Sequence, residues 1–142
     1  MTAVDISLAA LAIAQQNGAR LAPGRIHFLQ SDLLTAVEGP VDLIVANLPY
    51  VTRGEWQELA DGVKLHEPAL ALDGGEDGLD LIRQLLEQAT AKATAKGAIF
   101  LEIGWQQGVA VQQLARTYFP EAAISVLSDI AGHDRIVKIT NL

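Results

Sequence analysis

The four residues Asn47-Leu48-Pro49-Tyr50 combine an amide, a backbone restricted by proline and a flat ring directly after a hydrophobic segment. The Asn47 side chain offers an oxygen that accepts hydrogen bonds and an NH2 that donates them. Pro49 restricts the backbone of Leu48 to extended conformations, and Tyr50 adds an aromatic surface. Together these groups could hold a planar amino or amide group. The alternatives are an ordinary turn before a proline and, for Tyr50, a packed core aromatic.

Acidic residues follow two earlier predicted strands. Asp5 comes directly after residues 2–4, and Asp32 follows residues 25–29. In nucleotide-binding α/β folds, a carboxylate at such a strand end accepts hydrogen bonds from ribose hydroxyls, and Asp32 could accept from an adenine amino group. A helix cap or a solvated loop residue is the alternative for each. Their repetition at consecutive strand ends strengthens the nucleotide-binding interpretation.

A glycine-rich segment at residues 67–78 begins with Glu67-Pro68 and holds three glycines, a composition suited to tight turns. A plain surface loop is the alternative interpretation. Glu102-Ile103-Gly104 ends a later predicted strand, where the Glu102 side chain either faces the same crevice or is capped locally. Nothing in the sequence pairs with Trp105 or His133, so both are predicted to be packing or surface residues.

The elements that must position these residues alternate between strand and helix, which predicts an α/β domain with a mostly parallel sheet. The first predicted helix covers about residues 7–16, with Ser7 as its N-cap and Asn17-Gly18 as its stop. The second covers residues 79–96, where apolar residues recur at three- and four-residue spacing up to a stop at Lys96-Gly97, and the third covers about residues 106–118. The predicted strands cover residues 2–4, 25–29, 41–46, 98–103, 122–127 and 135–140. The apolar run at residues 41–46 predicts a strand that helices cover on both faces. A long irregular stretch at residues 51–78 holds at most a short helix near residues 56–60. The short link at residues 129–134 requires the last two strands to be antiparallel.

Composition excludes several classes of function. The 142 residues, of which 50% are hydrophobic, are enough for one domain with one core. The absence of cysteine excludes disulfides and thiolate sites, and the three histidines lack ligand spacing, so no metal site is predicted. A net charge of −7 disfavours binding to nucleic acid. No signal peptide or long apolar stretch is visible, so no membrane span is predicted and the expected location is the cytoplasm.

The chain resembles the HemK-type glutamine methyltransferases, which modify peptide-chain release factors, over almost all of its length. Asn47-Leu48-Pro49-Tyr50 is similar to the family's Asn-Pro-Pro-Tyr motif, and residues 67–78 are similar to its Glu-Pro-x-x-Ala-Leu-x-Gly-Gly-x-Asp-Gly signature. Residues 101–104, 106–107 and 130–135 also look like family segments. Asn-Pro-Pro-Tyr is shared with other amino methyltransferases, so residues 67–78 carry the narrower assignment.

The resemblance implies a Rossmann-like class I methyltransferase sheet, mostly parallel with a C-terminal antiparallel hairpin, and S-adenosylmethionine as cofactor. Asp5 and Asp32 would contact its ribose and adenine, and Asn47 would lie beside it. The substrate would be a release-factor glutamine, whose amide NH2 Asn47 and the Leu48 carbonyl would hold. The implied substrate and catalytic residues are Asn47, Leu48, Pro49 and Tyr50, with Glu67 and Pro68 completing the substrate-binding set.

Two departures from the family pattern shape the expectations. Leu48 replaces the first proline of the motif. This replacement keeps the backbone carbonyl and loses only the φ angle that a proline ring fixes. The chain also begins at the end of the strand that carries Asp5, so the family's first strand and Gly-rich loop are expected to be lacking. Residues 1–142 are therefore expected to form a partial S-adenosylmethionine-dependent methyltransferase domain, inactive alone, with an open sheet seam through which a homo-oligomer could form. The alternatives are an amino-group methyltransferase acting on nucleic-acid bases and a non-catalytic binding or dimerisation module.

Overall fold

The computed structural model of the chain describes residues 1–52, 54 and 73–142, which divide into two compact units, Met1–Gly39 and Pro40–Leu142. Glu67, Pro68 and the short helix predicted near residues 56–60 lie outside the described residues. Within the described part of the chain, no helix has the length and apolar character needed to cross a membrane.

The first unit is a β-α-β element, as the alternating pattern predicts. It consists of β1 (Thr2–Asp5), α1 (Leu8–Leu21) and β2 (His27–Gln30), and the two strands pair in parallel with Asp5 opposite Gln30. The Ser7 side chain accepts a hydrogen bond from the Ala10 N–H at 3.3 Å, which caps the start of α1 as predicted. The parallel pairing places the carboxyl ends of β1 and β2 at the same edge.

The predicted end of α1 is wrong. The sequence places it at Asn17-Gly18, but the helix continues to Leu21. Gly18 is buried, and a Cβ atom there would lie 2.6 Å from Cζ of the Phe28 ring on β2. Gly18 therefore serves close packing of the helix on the strand and does not terminate the helix.

The second unit is a four-stranded sheet with two described helices. In chain order its elements are β3 (Val41–Asn47), α2 (Asp80–Lys92), β4 (Ala93–Glu102), α3 (Gly108–Tyr118), β5 (Ala123–Ser128) and β6 (Asp134–Thr140). The strand order is β3-β4-β6-β5, with β3 and β4 parallel and β6 antiparallel to both of its neighbours. The predicted C-terminal antiparallel hairpin is confirmed.

The core of the second unit lies between the sheet and the two helices. The apolar stripe of α2 is buried as its spacing predicts, with Ile82, Leu86 and Ala89 at most 1% exposed. Burying each large side chain of this kind stabilises the fold by about 1.5–3 kcal/mol. The largest fully buried side chains are Ile82, Leu86, Ile99, Leu101, Ile103, Ile139, Val111 and Val137. This core fixes the ends of β3 and β4, where the candidate residues lie.

The predicted helix stop at Lys96-Gly97 is also wrong, because α2 ends at Lys92. Ala93 adopts an extended backbone and pairs with Val41 at the start of β3. Sheet pairing therefore takes over four residues earlier than helix propensity alone predicts.

The prediction that β3 is covered on both faces is wrong as well. Ile44 is buried, whereas Leu43 is 58% and Val45 is 73% exposed. Among the described residues, β3 ends the strand order β3-β4-β6-β5, and its face that carries Leu43 and Val45 is left without the cover expected of a central parallel strand. The self-association expected through an open sheet seam stays a prediction.

Candidate functional site

Asn47 is the last residue of β3 and lies opposite Glu102, the last residue of the parallel strand β4. Register partners in neighbouring strands are about 5 Å apart and project their side chains to the same face of the sheet. Asn47 is exposed and Glu102 is partly exposed. An amide and a carboxylate therefore lie side by side at the carboxyl edge, where α/β sheets bind ligands.

The turn that follows Asn47 is braced by the chain at residues 73–74. Val51 forms a parallel bridge with Asp73, and its carbonyl accepts a hydrogen bond from the Gly74 N–H at 2.9 Å. The Gly74 carbonyl in turn accepts from the Asp80 N–H at 3.1 Å, at the start of α2. The Asn-Leu-Pro-Tyr turn is thereby connected to the helix that anchors the core.

Two glycines of this segment are required by how closely they approach Tyr50. A Cβ atom on Gly74 would lie 2.8 Å from the Tyr50 Cα. Gly78 has a φ of +74°, and a Cβ atom there would overlap the Tyr50 carbonyl oxygen and the Gln107 amide. The glycine-rich end of residues 67–78 is therefore a surface that receives the backbone of the Asn-Leu-Pro-Tyr turn.

Gln107 joins three chain segments around Tyr50. Its side-chain oxygen accepts a hydrogen bond from the Gly104 N–H at 2.9 Å, and its NH2 donates to the carbonyls of Tyr50 at 3.3 Å and of Gly78 at 3.2 Å. The orientation of the amide follows from these partners, because a backbone N–H only donates and a carbonyl only accepts. Sequence reasoning did not select Gln107 as a site residue; its place three residues after a strand-ending glycine is the signal that could have found it.

A cleft of about 570 Å³ opens beside Tyr50. Its wall includes Tyr50, Val51, Asp77, Trp105 and Gln107. The Tyr50 ring also lies against Gly104, where a Cβ atom would be 3.3 Å from its Cδ2. The half-buried Tyr50 thus forms part of a concave surface, which favours the interpretation as a binding residue over that of a core aromatic.

Asp77 holds the start of α2 in place. Its carboxylate accepts from the Leu79 N–H at 3.0 Å and pairs with Arg83 at 2.9 Å. The backbone hydrogen bond from Leu79, followed by the pairing with Arg83, lowers the pKa of Asp77. Arg83 also pairs with Asp80 at 2.9 Å, and its pKa is raised, chiefly by its hydrogen bond to Asp77. This carboxylate is therefore engaged in fixing the wall of the cleft.

The β5–β6 turn also reaches this edge of the sheet. Asp129 accepts from the N–H groups of Ala131 at 2.9 Å and of His133 at 3.1 Å, and it pairs with Arg135 at 3.4 Å. The hydrogen bond from the His133 backbone is the main reason why the pKa of Asp129 is lowered. Residues 130–135 therefore form a turn held together by Asp129.

Trp105 and His133 are packing and surface residues as predicted, but the expectation that nothing pairs with them is wrong. Their rings lie 5.7 Å apart at an interplanar angle of 58°, so each is the other's aromatic neighbour. Trp105 is 57% exposed and also lines the cleft. The two rings form a tilted aromatic pair at the cleft wall.

Asp5 and Asp32 lie in the first unit. Asp5 ends β1, and the Ser31 N–H, next to Asp32, donates to the Asp5 carbonyl at 3.1 Å. Both acids are exposed, and one oxygen of the Asp5 carboxylate accepts from the Ser7 N–H at 2.8 Å. The predicted repetition of acids at consecutive strand ends is thus present in the fold, and Asp5 also has the local capping role that was its alternative.

The structure brings the Asn-Leu-Pro-Tyr turn together with the glycines of residues 73–78 and with the end of β4. Glu67 and Pro68 lie outside the described residues, so their part in substrate binding stays a prediction. Among residues 1–52, 54 and 73–142, no cluster of three or more His, Cys, Asp or Glu side chains could hold a metal ion. The site as described is therefore built from amide, carbonyl, carboxylate and aromatic groups.

No protein-family model matches the chain. Relatives named release factor glutamine methyltransferase match nearly all of it, with 44% identity over 137 residues in Cereibacter sphaeroides and 34% over 134 residues in Enterococcus faecalis. The two matches cover 96% and 94% of this chain, and 49% and 48% of the relatives. The chain thus spans about half the length of the curated relatives it matches. The resemblance that the motifs indicate is confirmed.

Solved structures share the fold. A methyltransferase from Pyrococcus furiosus aligns at a TM-score of 0.69 and 14% identity over 99% of this chain and 61% of that chain. A Streptococcus mutans protein in complex with SAH, S-adenosylhomocysteine, aligns at 0.61 and 12% identity over 99% of this chain and 75% of that chain. The predicted α/β class I methyltransferase fold is confirmed.

Proposed function

We propose that the chain provides the substrate-amide site of an S-adenosylmethionine-dependent release factor glutamine methyltransferase. The observation that carries the proposal is the exposed Asn47 at the carboxyl end of β3, followed by a turn seated on Gly74 and Gly78. The names of the relatives support glutamine in a release factor as the substrate. The release factor is accordingly the proposed protein partner.

The site must make a poor nucleophile, the amide nitrogen of the substrate, react with the methyl donor. An amide nitrogen shares its lone pair with the carbonyl, so it attacks weakly unless it is oriented. The Asn47 side-chain oxygen and the Leu48 carbonyl can each accept one hydrogen of the substrate NH2, which directs the nitrogen toward the methyl donor. Both acceptors also favour the positive charge that develops on the nitrogen. No strong base is needed before the attack.

Glu102 adds a negative charge beside Asn47. Glu102 is the register partner of Asn47, so its carboxylate lies on the same face of the sheet as the Asn47 amide. A negative charge beside Asn47 would stabilise a nearby developing cation and could take the proton that the methylated nitrogen releases. Tyr50, with its ring against Gly104, can pack against the flat amide and exclude water.

The residues of the first unit fit the proposed cofactor. Two exposed carboxylates at neighbouring parallel strand ends are acceptors for the ribose hydroxyls and the adenine amino group, and Asp5 and Asp32 supply them. When bound, S-adenosylmethionine supplies a methyl group activated by a sulfonium. The role of Asp5 and Asp32 is to hold and orient it.

The test is methylation by the protein expressed from its complete reading frame. It is incubated with S-adenosylmethionine and a purified bacterial release factor, and the product is mapped by mass spectrometry. The expected result is one added methyl group on a glutamine side chain. We expect Asn47→Ala to lower kcat by about 100-fold, because one of two orienting acceptors is lost. Asn17→Ala, the same change at an exposed helix position, is the matched control.

Each other outcome contradicts the proposal in a distinct way. Methyl transfer to RNA or DNA with none to the release factor would assign the site to base amino groups. A folded protein that methylates neither substrate would assign it to a non-catalytic binding module. Methylation of the release factor at an unchanged rate in Asn47→Ala would remove Asn47 from the mechanism.

A further inference from the structure

We propose that Gln107 is a positioning residue for methyl transfer, which holds the Asn47-Leu48-Pro49-Tyr50 turn through the Tyr50 backbone. This inference rests on the function proposed above. Gln107 is the residue before α3, so its position is set by the helix that packs Val111 and Ala115 into the core. The side chain therefore connects a rigid part of the fold to the turn that would hold the substrate amide.

The three hydrogen bonds of Gln107 all go to backbone groups at the site. The acceptor end is fixed by Gly104 at the end of β4, and the donor end spans the carbonyls of Tyr50 and Gly78. The side chain is half-buried, so these bonds are partly shielded from competing water. An amide is the one neutral side-chain group that accepts at one end and donates two hydrogens at the other.

The glycines around Tyr50 show that this contact is tightly fitted. A Cβ atom on Gly104 would lie 3.1 Å from the Gln107 side-chain oxygen, and a Cβ atom on Gly78 would overlap its NH2. The chain thus has no side-chain atoms at the two positions where they would displace the Gln107 amide.

Gln107 would affect methyl transfer through the backbone between Tyr50 and Leu48. Fixing the Tyr50 carbonyl limits rotation of the turn, and the turn carries the Leu48 carbonyl that would accept from the substrate NH2. Misplacing such a group by about 1 Å can cost about 100-fold in rate. Gln107 touches neither substrate nor cofactor in this scheme, so its loss should lower kcat more than it raises KM.

The sharpest variant is Gln107→Glu, which keeps the length of the side chain and the acceptor for the Gly104 N–H. Its ionised carboxylate cannot donate to the carbonyls of Tyr50 and Gly78, but its protonated form regains one donor. We expect kcat near neutral pH to be about 10- to 100-fold below wild type, with KM changed less than about 3-fold. As the pH is lowered, the deficit relative to wild type should shrink.

Gln113→Glu is the matched control, because Gln113 lies exposed on the same helix α3. It should retain wild-type kcat at every pH. Gln107→Met, of similar length and without hydrogen-bonding groups, should show a deficit that does not recover in acid. Among the described residues, the charged groups near Gln107 include Asp77 on the cleft wall, paired with Arg83, and Asp134, whose carboxylate lies against Gly108. All three are unchanged in every variant, so the comparison with wild type at each pH removes their titration.

A second readout separates this inference from the proposed function. The NMR shift of the Tyr50 carbonyl carbon reports the hydrogen bond it accepts, whether or not the protein is active. It should move in Gln107→Glu at neutral pH, return toward wild type in acid, and stay unchanged in Gln113→Glu. If the wild type fails to methylate a release factor, the proposed function fails while this shift still tests the contact.

The inference is overturned by either of two results. One is a Gln107→Glu enzyme with wild-type kcat near neutral pH, measured in a protein whose unfolding curve shows that it is folded. The other is a deficit equally deep at all pH in both Gln107→Glu and Gln107→Met. If Gln107→Glu does not fold, the kcat-against-KM pattern of Gln107→Met and its Tyr50 carbonyl shift decide instead.

Discussion

Asn47 and Glu102 end the neighbouring parallel strands β3 and β4 as register partners. The pairing sets the backbones of the two residues about 5 Å apart, with the Glu102 carboxylate and the Asn47 amide on the same face of the sheet. Along the chain the two residues are far apart, and the parallel pairing of β3 with β4 brings them together. The pairing of Asn47 with Glu102 therefore depends on the fold, whereas the residues of the Asn-Leu-Pro-Tyr turn are already neighbours in the sequence.

Removing the charge of Glu102 should slow methyl transfer without preventing folding. At an effective dielectric constant of about 20, a unit charge at about 5 Å from the developing positive charge would stabilise it by about 3 kcal/mol. Partial exposure of Glu102 to solvent reduces this to about 1 kcal/mol. Glu102→Gln should therefore lower kcat by about 3- to 10-fold on a release factor. Glu87→Gln, the same change on an exposed position of α2, is the control. Equal rates for both variants would show that the Glu102 charge plays no part.

The fit of Gly78 against Tyr50 can be separated from its backbone strain. Gly78→Ala and Gly132→Ala both place a side chain at positive φ, +74° and +85°, but a Cβ atom at Gly132 meets nothing within 4 Å. Both variants share the conformational cost, and only Gly78→Ala adds the overlap with the Tyr50 carbonyl. We expect Gly78→Ala to lower the free energy of unfolding by about 1–3 kcal/mol more than Gly132→Ala. Urea unfolding measures the difference, and equal losses would contradict the proposed fit.

Local patterns were sufficient to predict much of the fold. The spacing of Ile82, Leu86 and Ala89 identifies the buried face of α2, because burial of that face is what stabilises the helix. The ends of helices were predicted less well. Gly18 reads as a stop but is a packing contact with Phe28, and the pairing of Ala93 with Val41 ends α2 early. Both errors arise where a contact distant in sequence overrides local propensity.

The same distinction applies to the site. Asn47 could be selected because its neighbours in the sequence already suggest a function. Gln107 offers only one local signal, its place three residues after the strand-ending Gly104, because its partners Tyr50 and Gly78 are 57 and 29 residues away. The aromatic pairing of Trp105 with His133 was missed for the same reason. A side chain that acts by joining distant segments leaves little local pattern in the sequence.

The acids of the first unit should determine cofactor affinity. Asp5→Asn keeps an oxygen that can accept from the Ser7 N–H but loses the charge offered to the ribose hydroxyls. Hydrogen bonds to a charged group contribute about 1.5–3 kcal/mol, so S-adenosylmethionine should bind about 10- to 100-fold more weakly, as measured by calorimetry. Asp32→Asn should act in the same direction. Glu38→Gln, an exposed acid of the same unit, is the control. Unchanged affinity in Asp5→Asn would exclude this acid from the cofactor site.

The contact between Asp77 and Arg83 should make part of the stability depend on pH. Because the Leu79 N–H and Arg83 lower the pKa of Asp77, the folded state favours its ionised form. Its contribution should be fully present above the ordinary Asp pKa of about 3.9 and be lost as the pH falls through the lowered folded-state value. Asp77→Asn still offers an acceptor to Leu79 but not an ion pair. Since the two side chains are 52% and 40% exposed, the variant should lose less than about 1 kcal/mol near neutral pH.

The measurement is chemical unfolding of wild type and Asp77→Asn at neutral and at acid pH. The difference between the two proteins should shrink in acid, because wild-type Asp77 becomes protonated there and loses its advantage. Asp129, whose pKa is also lowered, is present in both proteins and cancels in the comparison. Glu121→Gln, an exposed acid with no hydrogen bond to the start of α2, should show no pH-dependent difference from wild type. A gap between wild type and Asp77→Asn that widens in acid would reverse the assigned sign and remove the ion pair as its cause.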